Sequence, residues 1–204
     1  MKYLYFLAFP ALLFTSCLTS TEKEKADPDG SFSAFETRFL DQYWKEYPAQ
    51  SINIGYGKYY EKLVIPDSLS FATDLRFSKD WLDSLNTLDY TRLSDNNKIS
   101  FSIIKNQLES DSWYLSVFKA QQWNASSYNL SNECYYIIHQ PYAALEERLR
   151  ILSKHLENAD KYYQAGFNML NSPTKESVGL AIMQNQGGLS IFGDDLKDSI
   201  NHPA

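Results

Sequence analysis

Apolar side chains recur every three or four residues along most of this sequence, and that spacing constrains the fold more than any other feature. Side chains three and four positions apart share one face of an α-helix, so each such row predicts a helix with one buried face. The clearest row is entirely aromatic: Phe32, Phe35, Phe39, Tyr43 and Tyr47. Ser31 or Ser33 can cap the start of this helix, and Pro48 disturbs its end.

The same spacing predicts further helices over about 67–89, 94–119, 141–170, 174–186 and 189–199. In the third helix we expect Ile99, Ile103 and Leu108 on the buried side. Residues 121–138 are rich in Asn, Ser and Tyr and are predicted to be irregular. Within them the short run Tyr135–Ile138 could form an extended segment. The sum is an all-α array of about five or six helices with irregular, aromatic-rich loops. No internal repeat is evident.

The N-terminus has the outline of a bacterial secretion signal. Lys2 precedes an apolar run, Leu4–Phe14, that is too short to span a bilayer. The run ends in Thr15-Ser16-Cys17, which resembles a lipobox, although Phe14 stands where Leu is usual. We therefore expect a signal peptide over 1–16, lipidation of Cys17 and a protein lipid-anchored in the bacterial cell envelope, at the outer membrane. An ordinary signal peptide that happens to contain a cysteine is the alternative.

The region after the cysteine reads as a tether. Residues 17–30 are polar and charged, with little to bury, so a folded domain is expected over 31–204. Removing residues 1–16 removes only Lys2, which leaves 18 basic against 25 acidic residues and a formal charge of −7. An acidic chain without a basic patch is not expected to bind nucleic acid.

Few residues suggest catalysis. The histidines, His139, His155 and His202, do not occur in H-E-x-x-H spacing, so no metal or cofactor site and no catalytic residue is predicted. We expect His155 on the polar face of a helix and His139 in a loop. Cys134 is interpreted as a small buried hydrophobic residue, because a lipidated Cys17 leaves it without a disulfide partner.

Three other features have a structural and a functional interpretation. Gly187-Gly188 is expected to end a helix rather than to form a ligand loop, and Asp194-Asp195 to be solvated rather than to act as an acid–base pair. The chain has 15 Tyr, 12 Phe and 4 Trp, and loops such as 56–60 and 123–128 carry several of these rings. Rings there can fill gaps between helices, meet a missing partner surface, or stack on sugars or peptide side chains.

Three stretches together resemble the bacterial domain-of-unknown-function family 885 (DUF 885), helical proteins that are similar to zinc peptidases and are often lipoproteins. Residues 35–50 with Ile54-Gly55 look like the family's opening helix, and Leu82–Leu108 like its second and third helices. Glu147–Leu156, followed by Ala159, Leu170 and Pro173, looks like a later helix pair. The likeness extends over about 32–200.

The resemblance implies the N-terminal helical half of a zinc-metallopeptidase-like lipoprotein. Proteins of the family are about three times this long, and their zinc motif follows the part that corresponds to this chain, so zinc is implied only for a full-length member. We expect no activity from this chain alone and a missing C-terminal catalytic half as partner. That half would cover an apolar edge formed by Leu180, Ile182, Met183, Leu189, Ile191 and Phe192.

Two other functions stay open on the sequence. A surface glycan- or peptide-binding helical lipoprotein would also be acidic and rich in aromatic residues. A stand-alone scaffold or chaperone-like domain is the third possibility.

Overall fold

The computed structural model describes residues 27–201, and this range is all-α, as predicted. The signal peptide, Cys17 and His202 lie outside the described residues. The α-helices are α1 (Pro28–Glu46), α2 (Pro48–Asn53), α3 (Ser68–Leu85), α4 (Asp95–Trp113), α5 (Ala120–Trp123), α6 (Ser131–His139), α7 (Leu145–Leu156), α8 (Ala159–Met169), α9 (Lys175–Gly188) and α10 (Asp194–Asn201). No helix in this range is both long and apolar enough to cross a membrane.

The first hydrophobic core lies between α1, α3 and α4. The predicted aromatic row of α1 supplies its centre, since Phe32, Phe35, Phe39 and Tyr43 are all buried. Trp81 of α3 meets Phe35 and Phe39 edge-on, with 5.4 Å between ring centroids in each pair. Edge-to-face aromatic pairs add about 0.5–1.5 kcal/mol each beyond area burial.

Helix α1 begins three residues earlier than expected, because two aspartates of the predicted tether have structural partners. Asp27 caps the helix by accepting a hydrogen bond from the Asp29 backbone N–H at 3.1 Å. The Asp29 carboxylate accepts from the Ser94 N–H at 2.9 Å and from Asn97 Nδ2 at 2.7 Å, at the start of α4. These hydrogen bonds lower the pKa of Asp29 and join the first turns of α1 and α4.

The predicted buried face of α4 is wrong in part. Phe101, Ile104 and Leu108 are buried, whereas Ile99 is 61% exposed and Ile103 64%. Apolar residues occur on both sides of this helix, so the spacing offers two rows, and packing against α3 selects one. The helix also ends at Trp113 rather than near Lys119, and a wider π-helical turn continues it over Tyr114–Phe118.

A second core forms around α6, in the region expected to be irregular. Tyr135–Ile138, which could have been extended, is helical. The reason is that Cys134, Ile137 and Ile138 share one face of α6, which packs against Ile52, Leu130 and Leu152. Burial on one helical face outweighs the preference of Tyr and Ile for strands.

The single helix expected over 141–170 is two helices. Asn158 departs from helical geometry between α7 and α8, and its carbonyl accepts the first hydrogen bond of α8, from the Tyr162 N–H at 3.0 Å. Pro141 lies four residues before α7 and not in its first turn. A 3-10 turn at Leu189–Phe192 likewise replaces the start of the last predicted helix.

Candidate binding site

The two histidines in the described range occupy different environments from those expected. His139 is the last residue of α6 and not a loop residue; its Nδ1 lies 2.8 Å from the Tyr135 carbonyl oxygen. His155 was expected on a polar face but is 1% exposed. Among residues 27–201 no group of three or more His, Cys, Asp or Glu side chains is placed to hold a metal ion.

His155 ties three separate segments together. Its Nδ1 lies 2.9 Å from the Tyr60 carbonyl oxygen, and its Nε2 lies 2.9 Å from Glu133 Oε2 on α6. Both ring nitrogens therefore have a polar partner, one in the segment after α2 and one on α6.

Arg148 closes the other end of the same core. Its guanidinium is almost fully buried and donates from Nη1 to the carbonyl oxygens of Ile138 and Gln140, at the end of α6. Those carbonyls lack intrahelical partners and carry the negative end of the helix dipole, which a cation stabilises. His155 thus has a partner at each ring nitrogen, and Arg148 has partners at Nη1, whereas its Nε is buried without a hydrogen-bond partner in the described residues.

The remaining residues singled out in the sequence show ordinary environments. Cys134 is fully buried as expected, and burial together with the charge of Glu133 raises its thiol pKa to about 12. Gly187-Gly188 ends α9, as predicted. Asp194 is exposed and lies 3.9 Å from Lys197, and the side chain of Asp195 is outside the described set.

The exposed aromatic cluster does not form a flat platform. Trp113, Tyr114 and Phe118 are exposed at the end of α4, beside Trp123. Tyr114 meets Trp113 at an interplanar angle of 81° and Phe118 at 88°. Trp113 and Phe118 are nearly parallel, at 20°, but Tyr114 stands across both, so the cluster does not present one continuous row of ring faces.

A cavity with acidic and apolar walls is the most developed candidate site. It has a volume of about 180 Å³ and lies where the turn between α1 and α2, the start of α3 and the segment 62–66 meet. Glu46, Tyr47, Asp74 and Lys62 are among its polar lining residues. Its apolar walls are formed by Pro48, Leu63, Val64, Pro66 and Phe71.

The electrostatics of this cavity are unbalanced. Burial, reinforced by the negative charges of Glu46 and Asp111, raises the pKa of Asp74 to about 7, and Lys62 opposes the shift. Lys62 Nζ donates to the Lys45 carbonyl oxygen at 2.8 Å and lies beyond ion-pair distance of the carboxylates. Within residues 27–201, Glu46, Asp74 and Asp111 have no basic partner within 4.0 Å.

Three buried polar atoms lie close to the residues that line this cavity: Tyr47 Oη, Ser78 Oγ and Asp111 Oδ2. Burial and the charges of Asp74 and Asp111 raise the pKa of Tyr47, and a hydrogen bond with the Ser78 hydroxyl opposes the shift. Asp111 accepts a hydrogen bond from Gln107 Nε2 at 2.8 Å through its other carboxylate oxygen. These residues were not predicted from the sequence because they come from α3, α4 and the turn after α1. A signal did exist, since Ser78 interrupts the apolar row of α3.

A second exposed feature is the apolar surface of α9. Thr174 caps this helix, and the Ser177 hydroxyl donates to the Trp123 carbonyl oxygen at 2.9 Å, which fixes its first turn. Beyond that turn its large apolar side chains are exposed: Val178, Leu180, Ile182 and Met183, followed by Leu189 and Phe192. Met183 is 64% exposed and Leu189 68%. The predicted apolar edge is confirmed except at Ile191, which is buried in the second core.

Comparison with known proteins gives one informative match. No protein-family profile matches the chain, and no curated protein does. A solved structure described as a "putative lipoprotein of unknown function" from Shewanella oneidensis is similar, with a TM-score of 0.77 and 32% sequence identity. The match covers 85% of this chain and 32% of that one, so this chain spans about a third of the Shewanella protein's length. The protein is thus a helical, lipoprotein-like protein, and the likeness suggests the cell envelope as its location.

Proposed function

We propose that this chain is the N-terminal helical part of a larger zinc-metallopeptidase-like lipoprotein of the DUF 885 type. In this proposal the protein is anchored through Cys17 at the outer membrane. The helical part forms a wall of a substrate channel, and a C-terminal catalytic part closes the channel from the other side. The observation that carries the proposal is the exposed apolar surface of α9.

That surface has the composition of an interior helix. Its exposed apolar residues occur over Val178–Met183 and again at Leu189 and Phe192 in the following 3-10 turn, and a helix that is apolar on most sides is normally buried. Large contiguous apolar surface on a soluble domain marks a contact with another part of a protein. The match to a protein about three times as long supports an intramolecular occupant, the catalytic part.

Zinc chemistry in this proposal belongs to the catalytic part. A zinc peptidase uses two histidines of an H-E-x-x-H helix and its glutamate to bind zinc and activate water. The residues of 27–201 do not fit that ion, because His139 and His155 belong to separate hydrogen-bonding arrangements and no third ligand joins them. This part therefore contributes packing and channel shape.

The test compares the chain with the product of the full reading frame that contains it. We expect the full product to bind about one zinc ion per chain, measured by metal analysis, and to hydrolyse peptides in a chelator-sensitive manner. We expect neither property of residues 17–204 alone. Chelator-sensitive hydrolysis by the isolated chain would contradict the proposal, as would a full product without bound zinc.

Docking of the two parts is tested separately. Residues 17–204 and the C-terminal part, produced as separate chains, are expected to associate, and Ile182→Lys is expected to abolish that association. Ile99→Lys is the matched control, because Ile99 is an equally exposed isoleucine on α4. Equal association of both variants would show that α9 is not the docking surface.

A further inference from the structure

We propose that the end of α4 is a membrane-contact surface, which rests on the head-group region of an anionic phospholipid bilayer. Its exposed apolar residues, named the aromatic tip, are Trp113, Tyr114, Val117 and Phe118. The tip lies on a different element from α9. Its contact with lipid adds to the proposed acyl anchor at Cys17 and does not depend on zinc chemistry.

The first support is the backbone that presents these side chains to solvent. A π-helical turn over Tyr114–Phe118 continues α4, and the Lys119 backbone N–H closes it by donating to the Tyr114 carbonyl oxygen at 2.7 Å. Lys119 has a left-handed φ of 53°, which ends the helix and is uncommon for a residue other than glycine. Across the turn, Trp113 and Phe118 stack with ring centroids 5.4 Å apart. Turns of this type are rare and are frequent at functional sites, and here one fixes exposed rings against each other.

The second support is the chemistry of the tip. Indole and phenol rings have an apolar body and one polar group, so they concentrate at the head-group level of bilayers, where both parts are satisfied. Trp113 is 47% exposed and Tyr114 52%, with the apolar Val117 and Phe118 beside them. The exposed surface of α9 is instead aliphatic apart from Phe192, as in a protein interior. The tip therefore suits a lipid interface, whereas α9 suits a protein contact.

The third support is charge. The protein has a formal charge of −6, yet residues 112–132 contain no Asp or Glu, and the one charged residue among them is the exposed Lys119. Asp111 and Glu133, which flank this stretch, are each partly buried and hydrogen-bonded within the protein. An anionic bilayer repels most of an acidic chain but attracts a lysine close to its surface. The charge pattern thus favours approach through the tip.

The predicted lipid at Cys17 can remain in the bilayer while the tip rests on it. Asp29 joins the first turn of α1 to the start of α4. The tip is therefore one helix length from the start of α1, roughly 28 Å for the 19 residues of α4. The ten residues 17–26 can bridge at most about 35 Å. This compatibility rests on the proposed acyl anchor, whereas the backbone, chemistry and charge of the tip do not.

The test measures partition of an unacylated chain, residues 17–204 with Cys17→Ala, onto phospholipid vesicles at high lipid concentration. This chain keeps both hydrophobic cores and lacks the apolar run Leu4–Phe14. We expect binding to vesicles of phosphatidylglycerol and phosphatidylcholine in equal parts, and weaker binding to phosphatidylcholine alone. The binding should be weak and reversible, because four side chains bury little apolar area compared with several acyl chains. The tip therefore orients an anchored protein and does not replace its anchor.

Two aspartate substitutions in this chain locate the contact. Val117→Asp is expected to weaken partition by at least about tenfold, because it places a carboxylate among side chains that enter the lipid. Ile103→Asp is the matched control, since Ile103 and Val117 are both 64% exposed, and it should bind like the chain without it. Circular dichroism and the melting temperature show whether both variants are folded.

A third variant tests the role of charge. Lys119→Asn removes the cation and keeps a residue that tolerates a left-handed φ. It should reduce the preference for vesicles with phosphatidylglycerol and leave binding to phosphatidylcholine unchanged.

Other results overturn the proposal. Absence of partition, or equal partition of Val117→Asp and Ile103→Asp, would show that the tip does not contact lipid. Partition that is lost in Ile182→Lys but kept in Val117→Asp would move the contact to α9. Absence of vesicle binding together with association with the C-terminal part that Val117→Asp abolishes would assign the tip to a protein contact. These outcomes use one chain and lipid, so they are distinguishable from failure of the zinc and docking tests.

Discussion

His155 shows why a buried polar residue can be invisible in a sequence. Its two partners, Tyr60 and Glu133, lie 95 and 22 residues away along the chain. Helical spacing gives only the face of α7 on which His155 lies. Because Lys154 and Glu157 are its neighbours in the sequence, that face was predicted to be exposed to solvent. The burial of His155 is set by packing of α7 against α6 and the connection after α2, which periodicity does not report.

Replacing His155 by leucine is expected to destabilise the fold. His155→Leu leaves the Glu133 carboxylate and the Tyr60 carbonyl oxygen without their partner in a largely buried place, at a cost of about 3 kcal/mol. The double variant His155→Leu/Glu133→Leu removes both side chains of the pair and should recover part of the loss. Urea denaturation measures the free energy of unfolding of each variant. A double variant no more stable than His155→Leu would show that the pair contributes through packing and not through its hydrogen bond.

Asp74 should make stability depend on pH. Because its pKa is about 7 in the folded protein and near 3.8 ordinarily, the folded state holds this proton more tightly than the unfolded chain does. Stability should therefore fall as pH rises from about 4 to 7. Glu46 and Asp111 enlarge the effect and Lys62 reduces it.

Asp74→Asn removes the ionisation and isolates this contribution. At pH 8 the variant should be more stable than the unchanged protein by on the order of 1 kcal/mol, after discounting the shift for partial exposure, or about 2–4 °C in melting temperature. At pH 4 the two should melt together. Asp80→Asn, at an exposed position of the same helix, is the control: it keeps Asp74 and should follow the unchanged protein at both pH values. A difference in melting temperature between Asp74→Asn and the unchanged protein that is the same at pH 4 and pH 8 would refute the assignment.

At the scale of elements, the sequence predicted helices well where one apolar row had no competitor. Helix α1 has a single aromatic row, and the first four of its five members are buried as expected, while Tyr47 follows the helix. Helix α4 offers two apolar rows, and Ile99 and Ile103, which were predicted to be buried, belong to the exposed one. Helix α6 was missed because its nine residues are few for a periodic signal.

The candidate site was not predictable for a related reason. Asp74 and Asp111 lie on α3 and α4, Tyr47 lies in the turn after α1, and no short motif joins them. Their proximity depends on how α1, α3 and α4 pack, and the sequence contained only one hint, the polar Ser78 within the apolar row of α3.

Packing of α9 on α6 makes a prediction about two adjacent glycines. A Cβ atom on Gly188 would lie 1.7 Å from Ser131 Oγ and 2.6 Å from Ser131 Cβ, whereas one on Gly187 would meet nothing within 4 Å. Gly187→Ala should thus stabilise the helix by about 0.5–1 kcal/mol. Gly188→Ala should destabilise the protein by about 1–3 kcal/mol, because Ser131 or the helix must shift.

Thermal or chemical denaturation of the two variants measures this difference directly. Equal stabilisation by both alanines would show that α9 does not approach α6 so closely. Truncating the neighbour in Gly188→Ala/Ser131→Gly removes the clashing atoms and should restore most of the lost stability.

At the scale of the whole molecule, two buried hydrophobic cores occur beside one exposed apolar surface, that of α9. Ile191 belongs to the second core, which explains why it is buried although it lies between the exposed Leu189 and Phe192. The 3-10 turn thereby anchors the end of α9 on α6 and leaves the middle of α9 outward. This arrangement presents an ordered apolar surface, which suits docking of a further part better than a frayed helix would.

The two cysteines allow the predicted membrane anchor to be tested within one chain. Cys17 follows a short apolar run and small residues, while Cys134 is fully buried and its thiol, with a pKa of about 12, is protonated at neutral pH. Acylation at Cys17 would add about 0.8 kcal/mol of membrane affinity per buried methylene, so several chains hold a protein firmly. In bacteria fed labelled palmitate, the unchanged protein and Cys134→Ala should carry label and sediment with membranes. Cys17→Ala should carry no label and should be lost from the membrane fraction, because it lacks the thiol that is acylated. Label retained in Cys17→Ala would remove the lipid anchor from the proposed function.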